Sequence, residues 1–324
     1  MTYQQRHNDV FIDETASEVI PEIDGIIFDC DGVLVDVSKS YDMAIMQTTQ
    51  YVLERFVGIK SIPITPEIIG GFKETGGFND EVDVTYASIL SLAAAKSLGM
   101  DPKQFIFQVI DNADYTGIKS VEKFLNLQNV DISKLKKTLD YPGPHATNPL
   151  YMIFDQIFYG PELYERIFGK KSQFAEKGLI ENDHVILTKD LIDILKRKFD
   201  GKIAIVTGRG KESINYSLKS LLNEFDVKSS VFLEDESKEM AKPNPKPLML
   251  SMDSLGARCC LYVGDSMEDL LMSNGANALG KRVVFCGIYG TNKNPQLKRE
   301  FFESKKAPII IKSIDLIPKA LNLA

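Results

Sequence analysis

Residues 23–36 read IDGIIFDCDGVLVD, a short apolar run that ends in two acidic residues and a glycine. Asp29 and Asp31 stand on either side of Cys30, and Gly32 follows them. The apolar run is typical of a buried strand of a parallel sheet. Ligands bind beyond the carboxyl ends of such strands, so both carboxylates lie where a ligand would bind. Two acids this close repel each other unless a cation compensates them, and the plain alternative is an Asp-stabilised turn.

Further apolar runs predict more strands, at residues 202–206, 231–233, 260–263, 283–285 and 308–311. Helical patterns separate these runs. Thr188 is the predicted N-cap of one helix, and Asn244 with Pro245 begins another that ends near Gly256. Strands that alternate with helices predict an α/β fold, a doubly wound parallel sheet with crossover helices.

A long helical insertion interrupts this alternation after the first strand. Residues 41–56 and 82–98 place apolar side chains at helical spacing, and few strand signals occur nearby. We therefore predict three parts: a polar N-terminal tail of residues 1–20, a core of residues 21–37 and 187–324, and an inserted helical domain of residues 38–186.

One Gly-rich stretch of the insertion has two interpretations. Lys73, Glu74, Asn79 and Asp80 fit a substrate-facing loop, but Asn79 or Asp80 fits equally the N-cap of the next helix. We favour the N-cap.

Three further groups of polar residues follow in sequence order, next to the later predicted strands. They are Thr207 with Gly208 and Arg209, then Lys242, and then Asp265 with Asp269. Each group has a plain alternative: a helix cap, a solvated loop charge, and acids in the first turn of a helix. Their occurrence together and in this order indicates a single site at the edge of the sheet.

Four segments carry a resemblance to a known family: FDCDGVLVD (28–36), VTGR (206–209), KPNP (242–245) and VGDSMED (263–269). They resemble the four motifs of the haloacid dehalogenase (HAD) superfamily, and specifically its phosphoglycolate-phosphatase-like branch. In that branch a helical cap domain lies between the first two motifs. The resemblance implies a Rossmann-like core with residues 38–186 as an enlarged α-helical cap, which would close over the site and select the leaving group.

The same resemblance implies a Mg²⁺-dependent phosphatase that hydrolyses a small-molecule phosphomonoester through an aspartyl-phosphate. Asp29 would be the nucleophile, and Asp31 the general acid and then the general base. The implied phosphoryl-binding residues are Thr207, Gly208 and Lys242, while Arg209 either reaches anionic groups of the substrate or forms a salt bridge beside the domain boundary. The implied metal ligands are Asp29, Asp265, the backbone carbonyl of Asp31, and Asp269, which bonds through a water or else holds Lys242.

Composition limits the other classes of function. A net charge of −7 argues against broad binding to nucleic acid or to an anionic membrane. No apolar run reaches the roughly 20 residues of a membrane helix, and the N-terminus does not read as a signal peptide. The four cysteines lack metal-binding spacing and are predicted to be reduced and buried. We therefore expect a cytoplasmic protein.

Rival functions share parts of this pattern. A phosphomutase of the same superfamily would use identical core residues, so the sequence leaves it open, together with the substrate and the oligomeric state. A phospho-accepting signalling module is disfavoured, because its phospho-acceptor follows a later strand and because it needs no cap. A binding protein without activity is disfavoured because every catalytic position is filled.

Overall fold

The computed structural model describes residues 3–60, 64–78 and 80–323. The chain forms two compact units. The first unit combines Met1–Ser38 with Asp183–Ala324, and the second is Lys39–Asn182. The predicted boundaries of the insertion were residues 38 and 186.

The first unit is built on an eight-stranded sheet. The strands are β1 (Tyr3–His7), β2 (Val10–Asp13), β3 (Gly25–Phe28), β6 (Ile203–Thr207), β7 (Val231–Phe232), β8 (Cys260–Gly264), β9 (Val283–Ile288) and β10 (Ile309–Ile311). In the sheet these strands have the order β1-β2-β10-β9-β8-β3-β6-β7. The last six strands in this order, from β10 to β7, are parallel. A separate two-stranded antiparallel sheet joins β4 (Val35–Asp36) to β5 (His184–Val185). The predicted α/β class is confirmed.

Both faces of the large sheet are buried. Successive residues of each strand point to opposite sides, and a hydrophobic cluster covers each side. Leu261 and Val263 of β8 pack into one hydrophobic cluster, and Cys260 and Tyr262 pack into the other. All four cysteines of the chain are buried and free of disulfides, as predicted.

Helices flank the sheet of the first unit. They are α1 (Glu14–Val19), α9 (Lys189–Phe199), α10 (Lys211–Leu218), α11 (Lys246–Leu255), α12 (Met267–Ala278), α13 (Pro295–Ser304) and α14 (Ile317–Ala320). The Thr188 hydroxyl accepts a hydrogen bond from Leu191 N, which confirms it as the N-cap of α9. Gly256 ends α11 in a left-handed conformation, also as predicted.

The N-terminal segment corrects one prediction. Residues 1–20 were expected to be a polar tail, but β1, β2 and α1 belong to the first unit. β2 pairs antiparallel with β10, and Val10 and Ile12 are fully buried. The segment covers the edge of the parallel sheet that β10 would otherwise expose. Its polar composition fits the place of β1 at the edge of the sheet, where Gln4 and Gln5 are exposed.

The second unit is helical in the residues that the structure describes. Its helices are α2 (Ser38–Val52), α3 (Pro66–Glu74), α4 (Glu81–Leu98), α5 (Pro102–Asp111), α6 (Ile118–Leu127), α7 (Ser133–Leu139) and α8 (Pro149–Phe168). α4 is its central helix, since it packs against α5, α6 and α8 and is buried on every side along most of its length.

In the Gly-rich stretch of the second unit, Asp80 is the N-cap of α4, which is the interpretation that we favoured. Asp80 accepts a hydrogen bond from Val82 N at the start of α4, while Asn79 lies outside the described residues. Lys73 and Glu74 form the last turn of α3, not a loop, and Lys73 pairs with Glu81 at 2.9 Å. Among the described helices, none combines the length and apolar character needed to cross a membrane.

The N-terminal strands make a specific prediction about stability. We expect Ile12→Ala to lower the free energy of unfolding by about 2–5 kcal/mol, because it leaves a cavity in a buried position. Gln5→Ala, at an exposed position of β1, should change it by less than about 0.5 kcal/mol. Chemical denaturation of both variants measures this difference. Equal, negligible effects would mean that the segment is a tail after all.

Candidate active site

The predicted site residues converge at the carboxyl edge of the large sheet. β3 lies between β6 and β8, and Phe28 of β3 is in register with Ile205 and Val263 of these neighbours. Asp29 follows Phe28 directly and donates its backbone N–H to Val263 O at 2.8 Å. The central strand therefore places the Asp29 carboxylate between the ends of β6 and β8.

Lys242 compensates the charge of Asp29. Its Nζ lies 2.9 Å from Asp29 Oδ1 and 2.7 Å from Asp269 Oδ1. All three side chains are buried, and Asp269 is completely so. Burial disfavours an ammonium, yet the two carboxylates raise the pKa of Lys242 well above its ordinary value. Lys242 is therefore a permanent cation shared between two acids.

Asp269 is fixed by its neighbours in the chain. Its Oδ1 accepts a hydrogen bond of 2.8 Å from the Tyr262 hydroxyl. Its Oδ2 accepts from the Ser266 hydroxyl at 2.7 Å and from the backbone N–H groups of Ser266 and Asp265. Burial opposes its ionisation, but Lys242 and these donors hold the pKa of Asp269 below its ordinary value. Ser266 and Asp269 also form the capping box of α12.

Gly264 makes this arrangement sterically possible. A Cβ at this position would lie 2.5 Å from Asp269 Cβ and 2.6 Å from its Cγ. Because the Asp269 carboxylate folds back over the end of β8, only a residue without a side chain fits beneath it.

Asp265 lies against the loop that carries the first two acids. A Cβ at Gly32 would lie 2.4 Å from Asp265 Oδ2, and the φ of Gly32 is +72°. The Thr291 hydroxyl donates to Gly32 O at 2.7 Å and so holds this loop from a second side. Asp265 is thus in direct contact with the loop of residues 29–32.

Asp29, Asp265 and Asp269 form an acidic cluster with the donor set of a site for a hard divalent cation. One oxygen from each of Asp29, Asp265 and Asp269 lies within 4.8 Å of the others. Burial, and then the charges of the neighbouring acids, raise the pKa of Asp29 to about 8 and that of Asp265 to about 6. Asp29 Oδ1 accepts no hydrogen bond of good geometry among the described residues, although Lys242 Nζ is near. Excess negative charge and an unsatisfied oxygen both fit a metal ion.

The ligands contribute unequally to this fit. Both oxygens of Asp269 already accept hydrogen bonds, so its main contact is Lys242, the second of its two predicted roles. The Asp31 side chain is not part of the acidic cluster, so any contribution from Asp31 would come from its backbone.

Thr207 and Gly208 lie at the end of β6, beside Asp29. Thr207 is buried, and its hydroxyl accepts a weak hydrogen bond of 3.4 Å from Arg209 N. Gly208 is exposed, with open space where a side chain would be. A hydroxyl and an exposed stretch of backbone at the end of β6 suit the binding of an anion.

Two roles were predicted for Arg209: contact with anionic groups of the substrate, or a salt bridge. It is only 4% exposed. Its guanidinium donates to Asp31 Oδ1 at 3.2 Å and to Asp183 Oδ2 at 3.0 Å, and also to the hydroxyls of Ser213 and Ser217. These four side chains engage its donors, which fits the salt-bridge interpretation, and a contact with substrate stays a prediction.

Sequence reasoning missed Tyr262, Ser266 and Asp183. Ser266 had a signal, because Ser three residues before Asp269 is a capping-box pattern. Tyr262 was counted only as an apolar strand residue, and nothing near Asp183 in the sequence points to Arg209.

The turn after β8 gives a testable prediction. We expect Gly264→Ala to lower the free energy of unfolding by about 1–3 kcal/mol, because the added methyl group displaces the buried Asp269 carboxylate. Gly70→Ala is the matched control: Gly70 lies in α3 with nothing within 4 Å of the added carbon. Denaturant titration of both variants measures the effect. A loss at Gly264 no larger than at Gly70 would contradict the steric account.

Comparison with known proteins places this geometry in a family. The sequence profile of the family described as "Haloacid dehalogenase-like hydrolase" matches residues 108–282, which is more than half of the chain. That segment contains Thr207, Lys242, Asp265 and Asp269, while Asp29 lies before it.

Solved structures share the fold. Phosphatase Tt82 from Thermococcus thioreducens is 22% identical, with a TM-score of 0.59 over 83% of this chain and 94% of that one. A protein solved by the Northeast Structural Genomics Consortium is 17% identical, with a TM-score of 0.65 over 93% of this chain and 98% of that one.

One curated relative is an imidazoleglycerol-phosphate dehydratase from Phytophthora nicotianae, which is 21% identical over 306 residues. The match covers 91% of this chain, and the chain spans about half the length of that relative, 53%. The family profile matches more than half of the chain, and the site contains the acids and the lysine described above. This chain belongs to the haloacid dehalogenase-like hydrolase family.

Proposed function

We propose that this protein is a Mg²⁺-dependent phosphatase that hydrolyses a small-molecule phosphomonoester through an aspartyl-phosphate at Asp29. The observation that carries the proposal is the buried Asp29 carboxylate at the centre of the sheet edge, 2.9 Å from the Lys242 ammonium. The Asp29 carboxylate can act as a nucleophile, and the neighbouring Lys242 ammonium attracts the negatively charged phosphoryl group that it would attack.

Asp29 and Asp31 would divide the chemistry between them. The Asp29 oxygen attacks phosphorus, and the leaving alcohol oxygen takes a proton from the Asp31 carboxyl. Asp31, now a carboxylate, takes a proton from water as the water oxygen attacks the phospho-aspartate, and Asp29 is released. The two acids have separate cationic partners, since Asp29 contacts Lys242 and Asp31 contacts Arg209, so each could act on its own.

The remaining residues would bind the phosphoryl group and the metal. Lys242 neutralises charge on the transferring oxygens, and the Thr207 hydroxyl with the backbone at Gly208 hydrogen-bonds them. Asp29, Asp265 and the Asp31 carbonyl would hold Mg²⁺, with Asp269 as a support through Lys242. A bound Mg²⁺ supplies charge stabilisation at the phosphoryl oxygens.

Two comparisons bear on the type of substrate. The Thermococcus structure of the same fold carries the name of a phosphatase. The name of the Phytophthora relative refers to the phosphate ester of an imidazole-bearing alcohol. A substrate panel should therefore include phosphoglycolate, sugar phosphates and phosphate esters of imidazole-bearing alcohols.

The first test is phosphate release from that panel with and without Mg²⁺. We expect release to need Mg²⁺, and Asp29→Asn to lower it by a factor on the order of 10³ or more, because the nucleophile is gone. Asp253→Asn makes the same charge change at an exposed residue of α11 and should keep wild-type activity.

Three outcomes would count against the proposal. Activity retained in Asp29→Asn would exclude the aspartyl-phosphate. Isomerised sugar phosphates without free phosphate would indicate a phosphomutase. No reaction of any panel compound by the folded wild-type protein would reject a phosphatase for these substrate classes.

The acidic cluster predicts that metal binding depends on pH. The pKa values of Asp29 and Asp265 are raised to about 8 and about 6, so the metal-free site retains protons that a cation must displace. We expect Mg²⁺ affinity to rise between pH 5.5 and roughly pH 8, with proton release on binding. Calorimetry in two buffers of different ionisation enthalpy measures both quantities.

The raised pKa values of Asp29 and Asp265 also determine how the free energy of unfolding changes with pH. A raised carboxyl pKa means that the folded state holds a proton which the unfolded chain has already lost. The free energy of unfolding of the metal-free protein should therefore fall as pH rises from about 4 to about 8, and saturating Mg²⁺ should reduce that fall. Asp265→Asn should weaken Mg²⁺ binding and Asp253→Asn should not. Affinity that is independent of pH, without proton release, would contradict the assignment.

A further inference from the structure

Arg209 is a buried cation with two acidic partners of different exposure. Asp183 is 3% exposed in its side chain and Asp31 is 27% exposed. A single nitrogen of Arg209, Nη1, contacts both of them, at 3.0 Å and 3.2 Å. Asp183 therefore compensates the buried charge, while Asp31 keeps its carboxylate partly open to the site.

The guanidinium is fixed from several directions. Its Nε donates to the Ser213 hydroxyl at 3.2 Å and its Nη2 donates to the Ser217 hydroxyl at 3.1 Å, and both serines lie on α10. The Ser217 hydroxyl in turn donates to Asp183 Oδ2 at 2.8 Å. A planar fork held at this many points has little freedom, so the direction of its bond to Asp31 is fixed as well.

We propose that Arg209 and Asp183 form a positioning pair that orients the Asp31 carboxyl for both proton transfers. The inference rests on the proposed function, because it assigns Asp31 as the acid and then the base. Asp31 stands beyond the end of β3, and Arg209 contacts its carboxylate there. Proton transfer needs the donor within hydrogen-bond reach of the leaving oxygen, and a small misplacement costs about 10²-fold in rate.

The leaving group separates a positioning role from a structural one. When the P–O bond to an alkyl alcohol breaks, the electron pair remains on a strongly basic oxygen, which must take the Asp31 proton. When the leaving group is p-nitrophenolate, the electron pair is stable on a weakly basic oxygen and no proton is needed. Misplacing Asp31 therefore slows cleavage of alkyl phosphates and largely spares cleavage of p-nitrophenyl phosphate.

The experiment compares kcat/KM for an alkyl phosphate and for p-nitrophenyl phosphate, with Mg²⁺ present. The variants are Arg209→Lys, which keeps the charge but loses the fork, Asp183→Asn, and Ser217→Ala. We expect Arg209→Lys to lose roughly 10²-fold with the alkyl ester and less than about 10-fold with the aryl ester. Arg282→Gln is the control, since Arg282 forms a surface ion pair with Glu22.

A second readout follows the other proton transfer. If Asp31 is also misplaced as the base, attack of water on the phospho-aspartate slows. Phospho-aspartate should then accumulate in Arg209→Lys during turnover of p-nitrophenyl phosphate, visible as a burst of p-nitrophenolate and as added phosphoryl mass on the intact protein. The wild-type protein and Arg282→Gln should show neither.

Each other outcome overturns the proposal. Equal losses for both esters would make the network merely structural, and a raised KM for both esters with unchanged kcat would make Arg209 a substrate-binding residue. If Arg209→Lys and Asp183→Asn do not fold, Ser217→Ala decides, since it removes one hydroxyl without changing charge and should still lose more with the alkyl ester. Wild-type protein inactive on both esters would reject the proposed function itself, whereas an active wild type with unselective variants rejects only the positioning pair.

Discussion

The site depends on one buried ammonium shared between two carboxylates. Lys242 lies 2.9 Å from Asp29 and 2.7 Å from Asp269, and water is largely excluded from all three side chains. Removing one member of such a group leaves an uncompensated buried charge, which is strongly destabilising. The position of each member therefore constrains the others, and the loop before α11 must bring Lys242 to the end of β3.

The local sequence supports this interaction from the side of Asp269. Tyr262, Gly264 and Ser266 lie within seven residues of it, and they donate to its carboxylate or leave the space that it occupies. Because short-range contacts fix Asp269, it can act as a rigid anchor for a long lysine side chain. Asp29 needs no comparable set, since β3 is flanked by β6 and β8 and its direction is determined by the sheet.

The sequence predicted the parts of this architecture that depend on short-range patterns. Buried parallel strands are continuous apolar runs, so β3, β6 and β8 and the polar residues at their ends could be predicted. β1 and β2 were missed because β1 is a polar edge strand with exposed side chains and β2 is only four residues long, so the segment resembles a polar tail. Asp183 was missed for a different reason: its ion pair with Arg209 joins positions 26 residues apart, and neither carries a local signal of the other.

Asp29 and Asp31 show why sequence proximity is a poor guide to chemical role. Residues two apart on a continuing strand point to the same side and would share one environment. Here the chain leaves the strand after Phe28 and turns at Gly32, and the two carboxylates meet different cations, Lys242 and Arg209. Lys242 is further compensated by Asp269, and Arg209 by Asp183. Each of the two acids thus belongs to its own acid–cation–acid group, and this separation would allow one carboxylate to bond to phosphorus while the other carries a proton.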